Sequence, residues 1–270
     1  MRKRITLFFV TCSTIFLSGC DAFEYHPYDG KISGERNVNA KNIARIEEAC
    51  KGKETIRFAF FGDTQRWYDE TEDFVKALNK RDDIDFAIHG GDISDFGLTN
   101  EFIWMRDIMN KLKVPYVALL GNHDCLANGE TIYRKIFGAE NFSFLAGNVK
   151  FVCLNTNALE YDYSRPVPDF KFIEEQINEE LEGHEKTVVA MHVRPYSMEF
   201  NDNVARVFQH YINFFKGLQF CLNAHDHHIK IDDLFGDGII YYGTANIAKR
   251  KYLLFTIKPN DEYEYEVVEF

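Results

Sequence analysis

Six short apolar segments recur along the chain, and a polar loop follows each of them. Each segment is five to seven residues long and shows no strict alternation of apolar and polar residues. This length and continuity are typical of strands that are buried on both faces. The segments are TIRFAFF, IDFAIHG, VPYVALL, VKFVCLN, TVVAM and LQFCLN.

Several stretches between these segments have the spacing of amphipathic helices. Their apolar residues recur at intervals of three and four, as on one face of a helix. Buried strands that alternate with helices predict an α/β fold. The helical stretches are TEDFVKALNK, NEFIWMRDIMNKL and FKFIEEQINEELEG, and further strands are predicted in GIIYYGTANIA, KYLLFTIKP and EYEYEVVEF.

Side chains that commonly bind metal ions follow the carboxyl ends of the predicted strands. Open α/β sheets place their functional sites at these ends. In an extended stretch, residues two apart point to the same side. Within NAHDHH we therefore expect His225 and His227 to share a side, while Asp226 and His228 point elsewhere. The candidate ligands are Asp63, Gln65, Asp92, Asn122, His192, His225 and His227.

These candidate ligands combine carboxylate, amide and imidazole groups. A mixed set of this kind suits two divalent ions that share one carboxylate. Taken alone, Asp63 and Asp92 also fit the N-caps of helices that follow strands. Gln65 also fits a polar residue that binds no metal. The occurrence of all the candidates at strand ends favours a metal centre.

The polar loops also follow a recognisable order. The blocks GDTQ, GGDISD, GNHD, MHVRP and AHDH resemble the five blocks of the calcineurin-like metallophosphoesterase superfamily. The resemblance covers roughly residues 55–250. It implies a four-layer α/β/β/α sandwich of two mixed β-sheets flanked by helices. It also implies hydrolysis of a phosphomonoester or phosphodiester by a hydroxide that bridges two divalent metal ions, with Mn or Fe favoured and Zn possible.

The resemblance assigns a role to each candidate residue. His123 matches the residue that contacts the phosphate and helps the leaving group. Asp95 matches the carboxylate that orients this histidine, although it also fits a turn or cap residue. One metal site would use Asp63, Gln65, Asp92 and His227, and the other would use Asp92, Asn122, His192 and His225, so that Asp92 bridges the two ions.

The chain departs from the family pattern at two positions. Gln65 stands where the family has histidine, and Ala224 stands where glycine is usual. An amide oxygen is a harder ligand than an imidazole nitrogen. We therefore expect a weaker first site, or a preference for Mn²⁺ or Fe over Zn²⁺. At Ala224 we expect only a restriction of the local backbone.

Two arginines in the motif loops are candidates for binding the substrate. The guanidinium groups of Arg66 and Arg194 have the geometry to bind phosphate in a bidentate manner. A solvated arginine or a structural ion pair is the alternative for each, and for Arg165 as well. Trp67 and Tyr68 are expected either to stack on a substrate or, as we favour, to pack at a helix start.

The amino terminus has the features of an exported lipoprotein. MRKR is followed by the apolar stretch ITLFFVTCSTIFL and by LSGC, which ends at Cys20. An ordinary signal peptide and a buried first helix are the alternatives. We predict a signal peptide at 1–19, a lipidated cysteine and polar tether at 20–42, and the catalytic domain at 43–270. The protein would be exported and anchored by lipid to a bacterial membrane.

Composition narrows the possible partners. The chain carries 42 acidic and 31 basic residues and a net charge of −11, so a basic face for nucleic acid is not expected. Its 270 residues, 46% of them hydrophobic, allow one large domain or two small ones. Export permits disulfides, but no cysteine spacing demands one. We expect free thiols at Cys50, Cys125, Cys153 and Cys221.

Two other functions remain open at this point. One is a non-catalytic lipoprotein that keeps the metallophosphoesterase shell as a binding module, and Gln65 is its only support. The other is a protein phosphatase, whose large inserts and docking grooves are not recognisable here. The substrate that we expect is a phosphate ester, and the membrane contact that we expect runs through Cys20.

Overall fold

The computed structural model describes residues 30–161, 165–260 and 262–270. The predicted signal peptide, the lipidation site Cys20 and the first part of the predicted tether, up to residue 29, lie outside the described residues. Within the described ranges, no helix combines the length and apolar character that a membrane crossing requires.

Strands and helices alternate through most of the described chain, as the sequence pattern predicts. The strands are β1 (Ile56–Phe61), β2 (Phe86–His89), β3 (Tyr116–Ala118), β4 (Phe142–Ala146), β5 (Val149–Leu154), β6 (Lys186–Met191), β7 (Leu218–Asn223), β8 (Lys230–Asp232), β9 (Tyr241–Gly243), β10 (Lys251–Ile257) and β11 (Tyr263–Glu269). The α-helices are α1 (Val38–Cys50), α2 (Tyr68–Leu78), α3 (Thr99–Met109), α4 (Gly129–Ile136), α5 (Phe170–Asn178) and α6 (Ala205–Ile212).

The strands form two mixed sheets. The first sheet has the order β11-β10-β1-β2-β3, in which β1, β2 and β3 are parallel and the other neighbours are antiparallel. The second has the order β4-β5-β6-β7-β9-β8, in which β5, β6, β7 and β9 are parallel. Each of the six apolar segments matches one of the strands β1, β2, β3, β5, β6 and β7, to within two residues at either end.

Three apolar layers separate the sheets and helices. Phe58 of β1 packs between the sheets, where its ring meets Phe151 of β5 edge to face at 5.1 Å. Ala59, the next residue, faces the opposite side and packs with helices α2, α3 and α4. The outer face of the second sheet is covered by α5 and α6, through Ile173 and Phe208. The predicted four-layer α/β/β/α sandwich is therefore confirmed.

Helix α5 is shorter than the pattern indicates. The stretch FKFIEEQINEELEG runs to Gly183, whereas the helix ends at Asn178. The buried amine of Lys150 in β5 donates hydrogen bonds at 2.8 Å to the carbonyl of Gln176 and to Glu179 Oε2. The Lys150 amine thus provides a hydrogen-bond donor for a backbone carbonyl in the last turn of the helix. Acidic side chains at the carboxyl end of a helix also oppose the helix dipole.

Helix α1 begins inside the segment that we predicted as a tether. Its first residue, Val38, lies five residues before the expected domain boundary at 43. The side chain of Asn39 exchanges two hydrogen bonds of 2.9 Å with the backbone of Ala118, and Asn42 donates to the carbonyl of Tyr116. The helix thus covers the open edge of β3, which would otherwise present unpaired backbone groups. Residues 38–42 belong to the domain.

The cysteines of the described chain are free thiols, as predicted. Cys153 and Cys221 are fully buried in β5 and β7, where they serve as small apolar side chains. Burial raises the pKa of both thiols above the ordinary range. Neither is therefore a reactive thiolate.

Candidate metal centre

The structure brings the predicted ligands together at one edge of the sandwich. The carboxyl ends of β1, β2 and β3 in the first sheet meet those of β6 and β7 in the second. Each of these strands ends just before a candidate ligand. The residues delivered in this way are Asp63, Gln65, Asp92, Asn122, His192, His225 and His227.

Four of these side chains converge as ligands of a single ion would. His192 Nε2 lies 3.3 Å from Asp92 Oδ1 and 3.1 Å from Asn122 Oδ1. His225 Nδ1 lies 3.0 Å from the same oxygen of Asn122. Ligands that bind an ion at about 2.0–2.2 Å stand at comparable separations from one another. This group corresponds to the second of the two predicted metal sites.

The other group is less complete. His227 Nε2 lies 3.3 Å from Asp63 Oδ1, and neither carboxylate oxygen of Asp63 accepts a hydrogen bond. Gln65 lies beside them, but its Nε2 donates a hydrogen bond of 2.9 Å to Asp92 Oδ2. The amide nitrogen of Gln65, and not its oxygen, therefore faces the shared carboxylate. Metal binding by Gln65 stays a prediction.

Backbone strain concentrates at these residues. Asp63, Asp92, His225 and His227 have φ values of 51°, 58°, 66° and 58°, and Gln65 has a φ of 35°. Side chains other than glycine seldom adopt this left-handed region, at a cost of about 1–2 kcal/mol each. The fold holds five neighbouring residues there, and strain of this kind clusters at functional sites.

The geometry corrects the reason given for the pairing of His225 and His227. Strand β7 ends at Asn223, so neither histidine lies on an extended strand. Both have left-handed backbone, separated by Asp226, and this alternation turns the two imidazoles toward the centre. His228 is exposed, and its Nδ1 contacts the carbonyl of Asp226, as expected for a residue outside the site.

Hydrogen bonds fix the tautomer of two buried histidines. His192 Nδ1 donates to the carbonyl of Gly90 at 2.7 Å, so Nε2 is directed at the candidate ligands. A histidine that binds a metal commonly donates its other ring nitrogen in this way. His89 Nδ1 accepts from the amide of Gly91, and its Nε2 donates to Thr64 Oγ1 at 2.9 Å. His89 therefore supports the loops and does not face the centre.

The carboxylates and imidazoles perturb one another strongly. Burial raises the pKa of Asp63. Burial also acts to raise the pKa of Asp92, but His192 outweighs it and holds this pKa below its usual range. For His192, burial lowers the pKa while Asp92 and Asp63 raise it to a net value of about 9. Two nearly unexposed carboxylates thus draw positive charge into this site.

Sequence reasoning missed the support that Asp124 provides. Its buried carboxylate accepts hydrogen bonds from the amides of Ile93 at 3.1 Å, Ser94 at 2.8 Å and Gly121 at 2.9 Å, and from Ser94 Oγ. Asp124 therefore joins the loop that carries Asp92 to the loop that carries Asn122. Its place as the last letter of GNHD was the signal in the sequence.

His123 lies at the mouth of the centre, about one third exposed. Its Nδ1 donates to the backbone carbonyl of Asp95 at 2.8 Å, whereas the Asp95 carboxylate is 3.8 Å away. The expected orienting contact is therefore made by the backbone of Asp95. The carboxylate instead forms an ion pair with Arg66. The Nε2 atom of His123 remains available to a substrate.

The predicted phosphate-binding arginines are both paired with acids. Arg194 donates from Nε to Asp226 Oδ2 at 2.7 Å, and Ser197 donates to the other oxygen of Asp226. This arrangement matches the structural ion pair that we considered as the alternative for Arg194. Arg66 pairs with Asp95 but keeps 58% of its side chain exposed. A direct role of either arginine in substrate binding stays a prediction.

The aromatic residues after the first motif pack as favoured. Trp67 and Tyr68 are partly buried against the core beneath α2 and α3. The Trp67 ring also meets the His227 ring edge to face at 6.3 Å, so it supports this ligand from the side. Arg165 forms ion pairs with Glu130 and Glu140, which is again the structural alternative.

The residues present fit a divalent metal centre. Ligand atoms of Asp63, Asp92 and His192 lie within 4.8 Å of one another, and all three residues are buried. Both oxygens of Asp63 are buried without a hydrogen bond. A buried carboxylate that accepts no hydrogen bond is costly, and a bound cation removes that cost. Oxygen and imidazole donors together suit Mn²⁺, Fe²⁺ or Zn²⁺.

Comparison with known proteins agrees with this geometry. Residues 56–228 match the sequence model of the calcineurin-like phosphoesterase family. The chain is also 24% identical over 133 residues to a 3',5'-cyclic-nucleotide phosphodiesterase of Nostoc sp., a match that covers 47% of this chain and 49% of the relative. The chain thus spans about half the length of this curated relative.

Solved structures with the same fold include two phosphatases. A purple acid phosphatase from yellow lupin matches with a TM-score of 0.58 and 13% identity, over 81% of this chain and 52% of that one. A dimetal phosphatase from Danio rerio matches with a TM-score of 0.57 and 10% identity, over 80% and 99%. GAP50 of Plasmodium, the anchor in the inner membrane complex, matches with a TM-score of 0.61 and 12% identity, over 80% and 85%.

Proposed function

This chain belongs to the calcineurin-like phosphoesterase family, whose members are hydrolases of phosphate esters that bind divalent metals, and on that premise we propose that it works with a pair of divalent ions. The substrate is a phosphomonoester or a phosphodiester. Asp63, Gln65, Asp92 and His227 hold one ion. Asp92, Asn122, His192 and His225 hold the other.

One observation carries this proposal. His192 Nε2 faces inward, 3.3 Å from Asp92 Oδ1 and 3.1 Å from Asn122 Oδ1, and His225 Nδ1 lies 3.0 Å from the same Asn122 oxygen. A shell of this kind has no role in packing, because apolar side chains would fill the same space at lower cost. Bound divalent ions supply positive charge at the phosphate and lower the pKa of water toward 7.

The protein residues position the substrate and the proton. His123 is held through Nδ1 by the carbonyl of Asp95, which leaves Nε2 directed outward. In its protonated form, Nε2 donates to a phosphate oxygen or to the leaving group. The Arg66 guanidinium, paired with Asp95 and half exposed, adds positive charge near this position.

The test compares metal content with turnover in the chain from residue 21 onward, purified without chelator. We expect about two ions per chain by elemental analysis. We also expect hydrolysis of p-nitrophenyl phosphate or bis-p-nitrophenyl phosphate in the presence of Mn²⁺. Asp92→Asn should lose both ions and turnover, while the exposed Asp82→Asn should keep them.

The outcome that contradicts the proposal is equally specific. One ion or none, with turnover that Mn²⁺ does not raise and Asp92→Asn does not lower, would favour a binding module. The hydrogen bond from Gln65 to Asp92 is the observation on the side of that alternative. A 3',5'-cyclic nucleotide belongs among the diesters assayed, since a relative is named for that activity.

We propose that the protein is exported and held on a bacterial membrane by a lipid on Cys20. The support is the order of MRKR, a 13-residue apolar stretch and LSGC at the amino terminus. The full chain should incorporate labelled fatty acid and sediment with membranes, and Cys20→Ser should do neither. Membrane retention of the unlabelled Cys20→Ser protein would show that another segment anchors it.

A further inference from the structure

Four large apolar side chains stand exposed on loops next to the metal centre. Phe96 is 58% exposed, Leu126 36%, Leu159 64% and Met198 74%. We call these four residues the apolar rim. Scattered single apolar residues are ordinary on a protein surface. A group of them on adjoining loops is more typical of a binding surface.

One half of the apolar rim lies beside His123. Phe96 follows Asp95, whose carbonyl holds His123. Leu126 closes the short 3₁₀ turn that begins at His123, and its amide donates to the His123 carbonyl at 3.3 Å. Gly97 has a φ of 70°, and a Cβ there would stand 2.0 Å from the carbonyl oxygen of Leu126. The loops of Phe96 and Leu126 are therefore in backbone contact.

The other half lies on the loops after β5 and β6. The amide of Leu159 donates to the carbonyl of Glu199 at 3.3 Å, which joins these two loops. Met198 follows Ser197, whose hydroxyl binds Asp226 between the two histidine ligands. Burial and Glu199 raise the pKa of Glu160, while His123 opposes them, so this loop lies within range of the charges of the centre.

A cleft of about 600 Å³ continues from Leu159. Tyr161, on its wall, contacts Cys125 Sγ through its hydroxyl at 3.4 Å, so the cleft lies against the loop that carries Asn122 and His123. Ligand pockets commonly have this volume and a mainly apolar lining. The apolar lining residues are Ala158, Leu159, Tyr161, Pro166, Val167, Pro168, Phe170 and Val204, and the polar ones are Arg165, Asn201 and Asn203.

The arginines of these loops already have acidic partners. In the described chain, Arg66 pairs with Asp95, Arg194 with Asp226, and Arg165 with Glu130 and Glu140. Glu160 and Glu199 add negative charge on the side of the cleft. Surroundings of this kind do not favour a substrate with several phosphates. These acidic surroundings favour a substrate whose affinity comes from an apolar group.

We propose that the substrate is a phosphate ester that carries an aliphatic chain. This inference rests on the proposed function. The phosphate lies at the metal centre beside His123, and the chain lies across the apolar rim toward the cleft at Leu159. A nucleobase fits these observations less well. Recognition of a base uses hydrogen bonds to its edge as well as stacking. The side chains of the apolar rim have no hydrogen-bonding groups.

The first test measures binding without turnover. Octylphosphonate and methylphosphonate are titrated into the Mn²⁺-loaded protein by calorimetry, below the micelle concentration of the octyl compound. We expect octylphosphonate to bind at least about tenfold more tightly, since burial of even one methylene group has effects of this order. Equal affinities would overturn the proposal. So would tighter binding of thymidine 5'-phosphate than of octylphosphonate.

Substitutions in the apolar rim test where the aliphatic chain contacts the protein. Phe96→Ser and Met198→Ser should each lower the ratio of octyl to methyl affinity by about threefold or more, since each removes an apolar side chain from the contact. Phe214→Ser is the matched control, because Phe214 is also 58% exposed but lies before the amino end of β7, away from the ligands. An unchanged ratio in both rim variants would overturn the assigned position of the chain.

Turnover measurements distinguish the proposed aliphatic substrate from the proposed phosphoesterase function. Methyl, octyl and thymidine 5' p-nitrophenyl phosphodiesters are assayed together with the corresponding phosphomonoesters. A higher kcat/KM for the octyl compounds is the expected result. Turnover of all the esters with no octyl preference would overturn the aliphatic substrate alone. Absence of turnover with every ester, in protein that holds its metal, would instead overturn the proposed function.

Discussion

At the scale of single residues, Gln65 is the position that most distinguishes this centre. Its amide nitrogen donates to Asp92 Oδ2, so the bridging carboxylate has one oxygen engaged by a hydrogen bond. A histidine at this position would offer a nitrogen lone pair to the ion that Asp63 and His227 surround. The two metal sites are therefore expected to differ in affinity.

Gln65→His should tighten binding of the weaker ion. The expected change is about tenfold in the dissociation constant for Mn²⁺, which is of the order seen when the surroundings of a metal are altered. Calorimetric titration of the metal-free protein measures it. Gln219→His, at the opposite end of β7, controls for an added surface histidine. Equal affinities of the two metal sites in the wild type would contradict the expected difference.

His89 makes a pH-dependent contribution to stability. Burial lowers its pKa from 6.5 to about 3, so the folded protein leaves His89 neutral over the range in which the unfolded chain protonates it. The unfolded state therefore binds more protons below pH 6.5, and stability falls as the pH falls. This contribution is present at pH 7, and about 2 kcal/mol of it is lost by pH 5.

Chemical denaturation at pH 7 and pH 5 tests this expectation, with chelator present throughout so that loss of metal does not contribute. His89→Gln keeps a donor for Thr64 but does not titrate, so its stability should fall less over the same range. The same decrease in both proteins would show that folded His89 takes up the proton.

At the scale of elements, the precision of the centre depends on how the loops are joined to one another. Asp124 connects the loops after β2 and β3 through four hydrogen bonds. The strained backbone of Asp92 is held between them. The segment before α1 is tied in a comparable way, because the buried Arg106 donates to the carbonyls of Ser33 and Glu35.

Asp124→Asn should destabilise the protein by about 2–3 kcal/mol, because one side of an amide cannot accept hydrogen bonds and buried backbone donors lose their partner. It should also weaken metal binding, since Asp92 and Asn122 would lose their common support. Denaturation and metal titration measure the two effects, with the exposed Asp82→Asn as control. Wild-type values in both would show that the loops hold their positions without Asp124.

At the scale of the whole molecule, two sheets from distant parts of the chain converge on one centre. The first sheet contributes Asp63, Asp92 and Asn122, and the second contributes His192 and the pair His225 and His227. Bound metal therefore crosslinks the two halves of the sandwich. Its removal leaves the two buried carboxylates balanced only by the imidazoles of His192 and His227.

Chelation should lower the thermal stability of the wild type, since an ion at 100 times its dissociation constant stabilises the folded state by about 2.7 kcal/mol. Asp63→Asn removes one of the two buried charges. The metal-free variant should thus be more stable than the metal-free wild type, and it should gain less stability from Mn²⁺. Melting curves with and without chelator measure both. If the metal-free variant is less stable than the metal-free wild type, the two buried carboxylates do not destabilise the metal-free protein by repelling each other.

The sequence by itself determined most of the elements and the set of candidate ligands, and its resemblance to a known family implied the layer order. Apolar runs of strand length and their alternation with helices are local properties, and the family motifs place metal-binding residues after the strands. The same pattern missed α1, α4, α6, β4 and β8 and extended α5 past Asn178. Those limits depend on contacts with other segments, such as the amine of Lys150 at the end of α5.

Only the tertiary structure decided how the candidate residues act on one another. His225 and His227 have a strained, left-handed backbone that the sequence pattern does not reveal. The ion pair of Arg194 with Asp226 and the hydrogen bond from His123 to the Asp95 carbonyl join atoms that are far apart in the chain. The apolar rim also became visible only once the loops were placed side by side. A sequence pattern specifies which residues are present, whereas distance, burial and strain arise when the whole chain packs.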